Sequence, residues 1–338
     1  KLRGFFRGVR HIKDQLHVLT PLVIPFSWFP MREQANKLFI KAQISWAQKK
    51  LGMMDSTLMV FSQNWLPYVK TVSQQCLVYY CVDEHSGFKG VDTSNFQAWD
   101  EEMTRQADLV CCSSQTLVSA KKRLNPNTVY TPHGVNDTLF RTALSSSTPI
   151  ADDLLELPTP RLLFFGHISY DWVDVDLLKY CAKQTPDWSW VLVGRYSLKN
   201  DEFADFANIH WLGEKEFEIL PQYCKGATLG LIPFVDSKLT ENCHPLKLPE
   251  YFAAGLPVVS TNIPAVREDY SQWTEIAVSR EEFLVACRKI VELSTHPLAQ
   301  SLSQQRSEAM KSKSWAARVD DLLILVNKSQ RSTYTKRI

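Results

Sequence analysis

Short unbroken apolar runs alternate along this chain with longer stretches whose apolar positions recur at helical spacing. Residues 16–25 form a β-rich apolar run, and strands are predicted at 57–62, 77–82, 109–112 and 128–131. Helices are expected between them over residues 31–51, 93–107 and 114–124. The strands are apolar throughout rather than on one side, as in a parallel sheet covered by helices on both faces. Between residues 142 and 160 the pattern stops, and Ser, Pro and Asp dominate as in an interdomain connection. A second alternating set predicts strands at 161–165, 189–193, 209–212, 229–233, 257–260 and 275–278, with helices that include 175–184, 214–224 and 281–293. SWAARVDDLLILVNK, residues 314–328, is a long amphipathic helix. The expectation is α/β: two Rossmann-like domains, residues 1–145 and 155–313, a site in the cleft between them, and a closing helix at 314–338.

Composition narrows the function without naming it. A chain of 338 residues, 45% hydrophobic and 22% charged, is a globular protein large enough for two cores. No apolar run is long enough to span a bilayer, and a net charge of +2 gives no argument for nucleic acid. The start is locally basic: Lys1, Arg3, Arg7, Arg10 and Lys13 are interleaved with Leu2, Phe5, Phe6, Val9 and Ile12. That mixture suits attachment to an anionic membrane face, and equally a basic surface helix packed by its aromatics. Eight cysteines without a C-x-x-C pair, several inside strand-like runs, are expected to be buried free thiols in a reducing cytosol. No signal-peptide pattern is present, and an opening without Met leads us to expect that a natural beginning is missing.

The densest chemistry lies in residues 242–259, NCHPLKLPEYFAAGLPVV. Pro245 suits a helix start, while Gly255 and Pro257 stop the helix. Lys247 and Glu250, three apart, share a face near the helix N-terminus, where unpaired N–H groups favour an anion. An ordinary helix carrying a solvated Lys–Glu pair is the plainer alternative. The whole segment resembles the donor-site signature P-x-K-x-x-E-Y-x-A-x-G-x-P-V-V of GT-B glycosyltransferases, of the group 1 or family 4-like type. The resemblance implies that Lys247 meets the donor diphosphate and that Glu250 accepts the ribose hydroxyls. It covers nearly the whole chain except its start and implies a final helix that crosses back to the first domain. Such proteins open with a strand, a Gly-rich loop and a helix; this chain shows no such unit, so about one βαβ unit is expected to be missing. Many retaining members carry a second Glu eight positions before Glu250, where this chain has Asn242, with Glu241 one step earlier. The departure puts the retaining mechanism in doubt. Asn242 keeps an amide for a sugar hydroxyl, and Cys243 and His244 are expected at the mouth of the helix.

Other strand ends complete the candidate set. In FFGHIS, Gly166 lets backbone approach a phosphate and His167 can donate to it, as in the family pattern Y/F-x-G-x-[IL]. Arg195 in VLVGRYS resembles the family's diphosphate cation, and Arg suits phosphate. The loop at Leu212, Gly213 and Glu214 matches the one that reads the base through backbone groups, while Phe217 and Tyr223 are assigned to the core. In the first half, YYCVDEHSGF presents Asp83, Glu84 and His85 at a strand end. It is similar to the base-bearing stretch of polysaccharide glycosyltransferases, including the glucuronosyltransferase of xanthan synthesis. Asp83 is the candidate base, Glu84 its understudy, and His85 faces the acceptor; a helix cap is the plainer role for the acids. Trp28 and Trp65 offer aromatic faces to an acceptor sugar or lipid, though core packing is the commoner fate of Trp. TPHGVN, residues 131–136, matches the turn that ends the family's first domain.

The resemblance implies transfer of a sugar from a nucleotide-diphosphate donor, UDP-linked by expectation, to a saccharide or polyprenyl-linked saccharide acceptor. The basic start suits a peripheral place on the cytoplasmic side of a membrane, phosphate pairing with Lys247 and Arg195 leads us to expect no metal, and no cofactor is expected. A nucleotide-sugar epimerase of the same twin-domain fold and a non-catalytic donor-binding subunit are the competing readings.

Overall fold

The computed structural model describes residues 8–24, 31–83, 93–199 and 202–337. Two strands, β1 (Arg10–Lys13) and β2 (Leu16–Val18), open the chain as an antiparallel hairpin outside either sheet. The β-rich run expected at 16–25 is therefore one short hairpin arm, and Arg10 and Lys13 lie on a strand rather than a helix. Phe5, Phe6, Trp28, Glu84 and His85 lie outside the described residues.

The first half then runs α1 (Arg32–Leu51), β3 (Thr57–Val60), α2 (Leu66–Val69), β4 (Cys76–Cys81), α3 (Thr93–Gln106), β5 (Leu109–Cys112), α4 (Gln115–Lys121) and β6 (Thr128–Tyr130). Its strands pair in parallel in the order β3-β4-β5-β6. β4 is buried at every position, which is why its sequence reads as a continuous apolar run.

The second half comprises α5 (Asp137–Phe140), α6 (Asp152–Leu155), β7 (Arg161–Phe165), α7 (Val175–Gln184), β8 (Ser189–Val193), β9 (Ile209–Trp211), α8 (Leu220–Gly226), β10 (Leu229–Ile232), α9 (Lys238–Glu241), α10 (Lys247–Ala253), β11 (Val258–Thr261), α11 (Pro264–Tyr270), β12 (Thr274–Ala277), α12 (Arg280–Leu293) and α13 (Ala299–Ala309). Its six strands are parallel in the order β12-β11-β10-β7-β8-β9. This is a doubly wound sheet whose strand order reverses beside β7, where such sheets bind ligands beyond the strand C-termini.

Three expectations shift. Residues 142–160 are no bare connection: Leu154 on α6 is fully buried, and a Cβ on Gly226 would strike its side chain at 2.6 Å. Val135 and Phe140 already pack in the second core. The helix expected at 214–224 begins later, as a 3-10 turn at Phe217–Ile219 leading into α8, because Pro221 lacks an N–H and belongs in a first turn.

The last helix, α14 (Trp315–Arg337), returns to the first half. Val326 is buried against Val78, Tyr80 and Cys111 of the first sheet, with Leu322 and Leu325 beside it. Trp315 N–H donates to Val135 O at the crossing point (3.1 Å). All eight cysteines are buried and none is in a disulfide. Among the described residues no helix is long and apolar enough to cross a membrane.

Candidate functional site

Three glycines end three neighbouring parallel strands: Gly166 after β7, Gly194 after β8 and Gly213 after β9, with φ of 139°, 127° and 77°. Gly194 admits no side chain, since a Cβ there would stand 2.1 Å from Gly166 O; one on Gly166 would stand 2.9 Å from Lys247 Cε and push the lysine aside. Backbone bonds lock the loops to each other: Gly166 N–H to Val193 O and Gly194 N–H to Gly213 O, both 2.8 Å. The result is a shelf of backbone along the C-terminal ends of β7, β8 and β9.

Helix α10 brings side chains to that shelf. Its placement comes from Tyr251, fully buried, whose hydroxyl donates to Leu163 O (2.9 Å) and accepts from Phe165 N–H (3.1 Å). One phenol thus ties the helix to two backbone groups of β7, each bond worth about 1 kcal/mol. At the other end Gly255, with φ 83°, closes the helix; Leu256 N–H bonds Tyr251 O and Gly255 N–H bonds Phe252 O, a Schellman ending. Leu246 is the N-cap without a side-chain bond, so Pro245 stands just before the helix rather than in its first turn.

Lys247 and Glu250 are half-buried and make no ion pair with each other, which removes the solvated-pair alternative. Lys247 Nζ lies between two phenyl rings, 5.1 Å from the centroid of Phe164 and 4.9 Å from that of Phe234. Burial holds its ammonium below the ordinary lysine value. Burial also pushes the Glu250 carboxyl up to about 7, the nearby Lys247 offsetting part of the rise. A cation and a carboxyl with no polar partner among the described residues, held above a backbone shelf, are prepared for a ligand that supplies an anion and hydroxyl donors. His167 is exposed, with Nε2 2.8 Å from Ser197 Oγ. Arg195 is exposed on the adjoining loop, whose carbonyl accepts from Ile168 N–H (2.8 Å).

The residues before α10 turn inward instead. Asn242 is buried and its amide donates to Lys238 O (2.7 Å), closing α9. Cys243 is 3% exposed in the second core, its thiol pushed up to about 12 by burial and then by the charge of Asp83. His244 is buried at the junction of the halves. Its ring meets His133 at 5.6 Å and Tyr270 at 5.7 Å, and Nε2 lies 3.4 Å from Asp269 Oδ2. His244 therefore fills the junction of the halves rather than the helix mouth, while Cys243 packs in the second core within reach of the charges of Asp83 and Lys247.

From the first half, Asp83 follows β4 and is half-buried, near enough to Cys243 for its charge to act on the thiol. Its charge thus reaches the turn that leads into α10. Other contacts close the halves around it. Thr116 Oγ1 reaches Glu241 O (3.4 Å), and Tyr130 donates its hydroxyl to Asp269. Trp65 lies apart, half exposed beside Tyr68 in a cavity of about 340 Å³ against β3. Sequence reasoning missed Phe234, whose only signal is an aromatic closing the run LIPF after β10. It also misplaced Phe217, which is 42% exposed at the head of α8; Tyr223 is buried as expected, donating to Asp153. Among the described residues no group of three His, Cys, Asp or Glu is arranged to hold a metal.

Residues 159–295 match the family of group 1 glycosyl transferases. The chain is 29% identical over 198 residues to TuaH of Bacillus subtilis (strain 168), described as a candidate teichuronic acid biosynthesis glycosyltransferase. That match covers 55% of this chain and 49% of the relative, so the chain spans about half the length of the curated relative it matches. Among solved structures it resembles sucrose-phosphate synthase from Thermosynechococcus elongatus (TM-score 0.71, 15% identity, 95% of this chain and 85% of that one). It also resembles HepE of Anabaena in complex with UDP (TM-score 0.63, 13% identity, 87% and 84%). At these identities the structural likeness shows the fold, which is GT-B.

Proposed function

With residues 159–295 in the group 1 glycosyl transferase family and the chain in a GT-B fold, we propose that this protein transfers a sugar from a nucleotide-diphosphate donor, a UDP-sugar, to a saccharide or lipid-linked saccharide acceptor. The likeness to TuaH supports a place in surface polysaccharide synthesis. The observation that carries the reading is the pair Lys247 and Glu250, unpaired with each other and set against the glycine shelf. In it, Lys247 and the exposed Arg195 take the diphosphate with His167, and Glu250 accepts the ribose hydroxyls. Asp83, facing this segment from the other half, takes the acceptor hydroxyl's proton as its oxygen attacks the anomeric carbon. The bond from that carbon to the diphosphate oxygen breaks, and UDP leaves with its electron pair. The charge on the leaving group is met by side-chain cations, so turnover is expected to survive chelation by EDTA.

Calorimetric titration with UDP tests the assignment. Glu250→Ala should weaken binding by about 1.5–3 kcal/mol, roughly tenfold to a hundredfold. Unchanged affinity in the folded variant would overturn it. Product analysis with a UDP-sugar and acceptor then distinguishes a new glycoside plus free UDP from an epimerised donor.

A further inference from the structure

At the opposite end of the second sheet, under the N-termini of β10, β11 and β12, lies a second cavity of about 590 Å³. Its volume is that of a small-molecule site, and it is larger than the pocket beside Trp65. It shares no residue with the glycine shelf or with Lys247 and Glu250.

Among the polar groups that line this cavity are two cations and an indole N–H that no carboxylate among the described residues meets. Arg306 gives Nε–H to Gly255 O (3.0 Å), and no carboxylate among the described residues lies within ion-pair distance of it. Burial lowers its guanidinium to about 10, the mark of a cation that has lost water without gaining a counter-charge. Among the described residues Lys225 meets the carbonyls of Ser145 and Thr148 and no carboxylate. Trp273 holds a buried Nε1–H that finds no acceptor among the described residues. Glu275 is the single carboxylate among the lining residues, and Lys289 engages it at 2.7 Å. The walls are apolar, with Leu256 and Ile290 inside and Leu144, Leu293 and Leu302 exposed at the rim.

We propose that this cavity is a second binding site, for a small amphiphilic anion: one phosphate or carboxylate head on a compact apolar body. The guanidinium takes the head in a two-pronged contact, Trp273 and Lys225 add donors, and the leucine rim covers the body. A free inorganic anion gains the first interaction and not the second. An uncharged aromatic gains the second and leaves Arg306 unmatched.

Phenyl phosphate is the probe, with inorganic phosphate and benzyl alcohol as its two halves, titrated by calorimetry into the full chain. Phenyl phosphate should bind about tenfold or more tighter than either half, since a charge-assisted bond and buried ring area each add more than a factor of several. Arg306→Met should abolish that difference, and saturating UDP should leave it unchanged. If Arg306→Met does not fold, Leu302→Glu carries the test from the exposed rim, where a like charge should repel the probe. Equal binding of phenyl phosphate and its halves, retention of binding in both variants, or displacement by UDP would each overturn the proposal. Failure of the UDP reading leaves it standing, because this cavity shares no side chain with the Lys247 and Glu250 site.

Discussion

A Cβ on Gly166 would lie 3.0 Å from Lys247 Nζ, so the lysine fills the space that any larger residue at 166 needs. The close approach couples two distant stretches of sequence, the end of β7 and the start of α10. Gly166→Ala should therefore displace Lys247 as well as strain a backbone at φ 139°, costing about 1–3 kcal/mol of stability. UDP affinity should fall too. On a Lys247→Ala background the same glycine change should cost stability but little further affinity, as a double-mutant cycle would read. Full additivity of the two affinity losses would mean that Gly166 acts through the shelf alone.

Lys247→Ala should harm binding of UDP more than binding of uridine, because its partner in the proposal is the diphosphate. The cation is held below its ordinary pKa by burial between two phenyl rings, so a phosphate arriving there meets a poorly hydrated charge. Titrating both ligands into both proteins gives the answer. Equal losses for the two would assign the lysine a structural role.

How much of this was legible depends on how local the determinants are. The Lys247–Glu250 face, the Gly255 ending and the Gly166 turn are set within one helical turn or one loop, and the sequence alone placed them. The direction of Cys243 and His244 is not local. Asn242 folds back onto Lys238, His133 of the first half closes over His244, and Cys243 packs into the second core, so neither side chain follows from its own stretch of sequence. Phe217 was assigned to the core on its hydrophobicity, yet it sits at the head of a helix that Pro221 delays, half in solvent. Phe234 gave no warning, because an aromatic at a strand end looks the same whether it packs inward or walls a lysine.

Glu250 makes stability depend on pH. Its carboxyl stands near 7 in the folded chain, against an ordinary 4.5, because burial disfavours the charge. Between those values the folded protein keeps a proton that the unfolded chain has released, so stability should fall as pH rises through the window and level off above it. Glu250→Gln keeps the shape without the charge and should flatten that slope, gaining stability relative to the parent above neutrality. Urea denaturation of both proteins across the window measures the difference. Parallel curves would show that Glu250 is already ionised in the folded state, paired with a group that the contacts above do not reveal.

Asp83 carries the sharpest mechanistic claim. It follows β4 in the first half, and its charge adds to the burial that raises the thiol of Cys243 in the turn before α10. The donor contacts proposed here all come from the second half, so Asp83→Asn should leave UDP affinity nearly unchanged. Turnover should fall by roughly 10²–10⁴, the usual contribution of a positioned base. The fold should hold, since asparagine has the same shape and can still accept a backbone hydrogen bond. The pH profile adds a readout that a packing role would not move: the acid limb of kcat should disappear with the carboxylate. A variant that transfers sugar at the parental rate with the same acid limb would remove Asp83 as the base and leave Glu84 as the next residue to test.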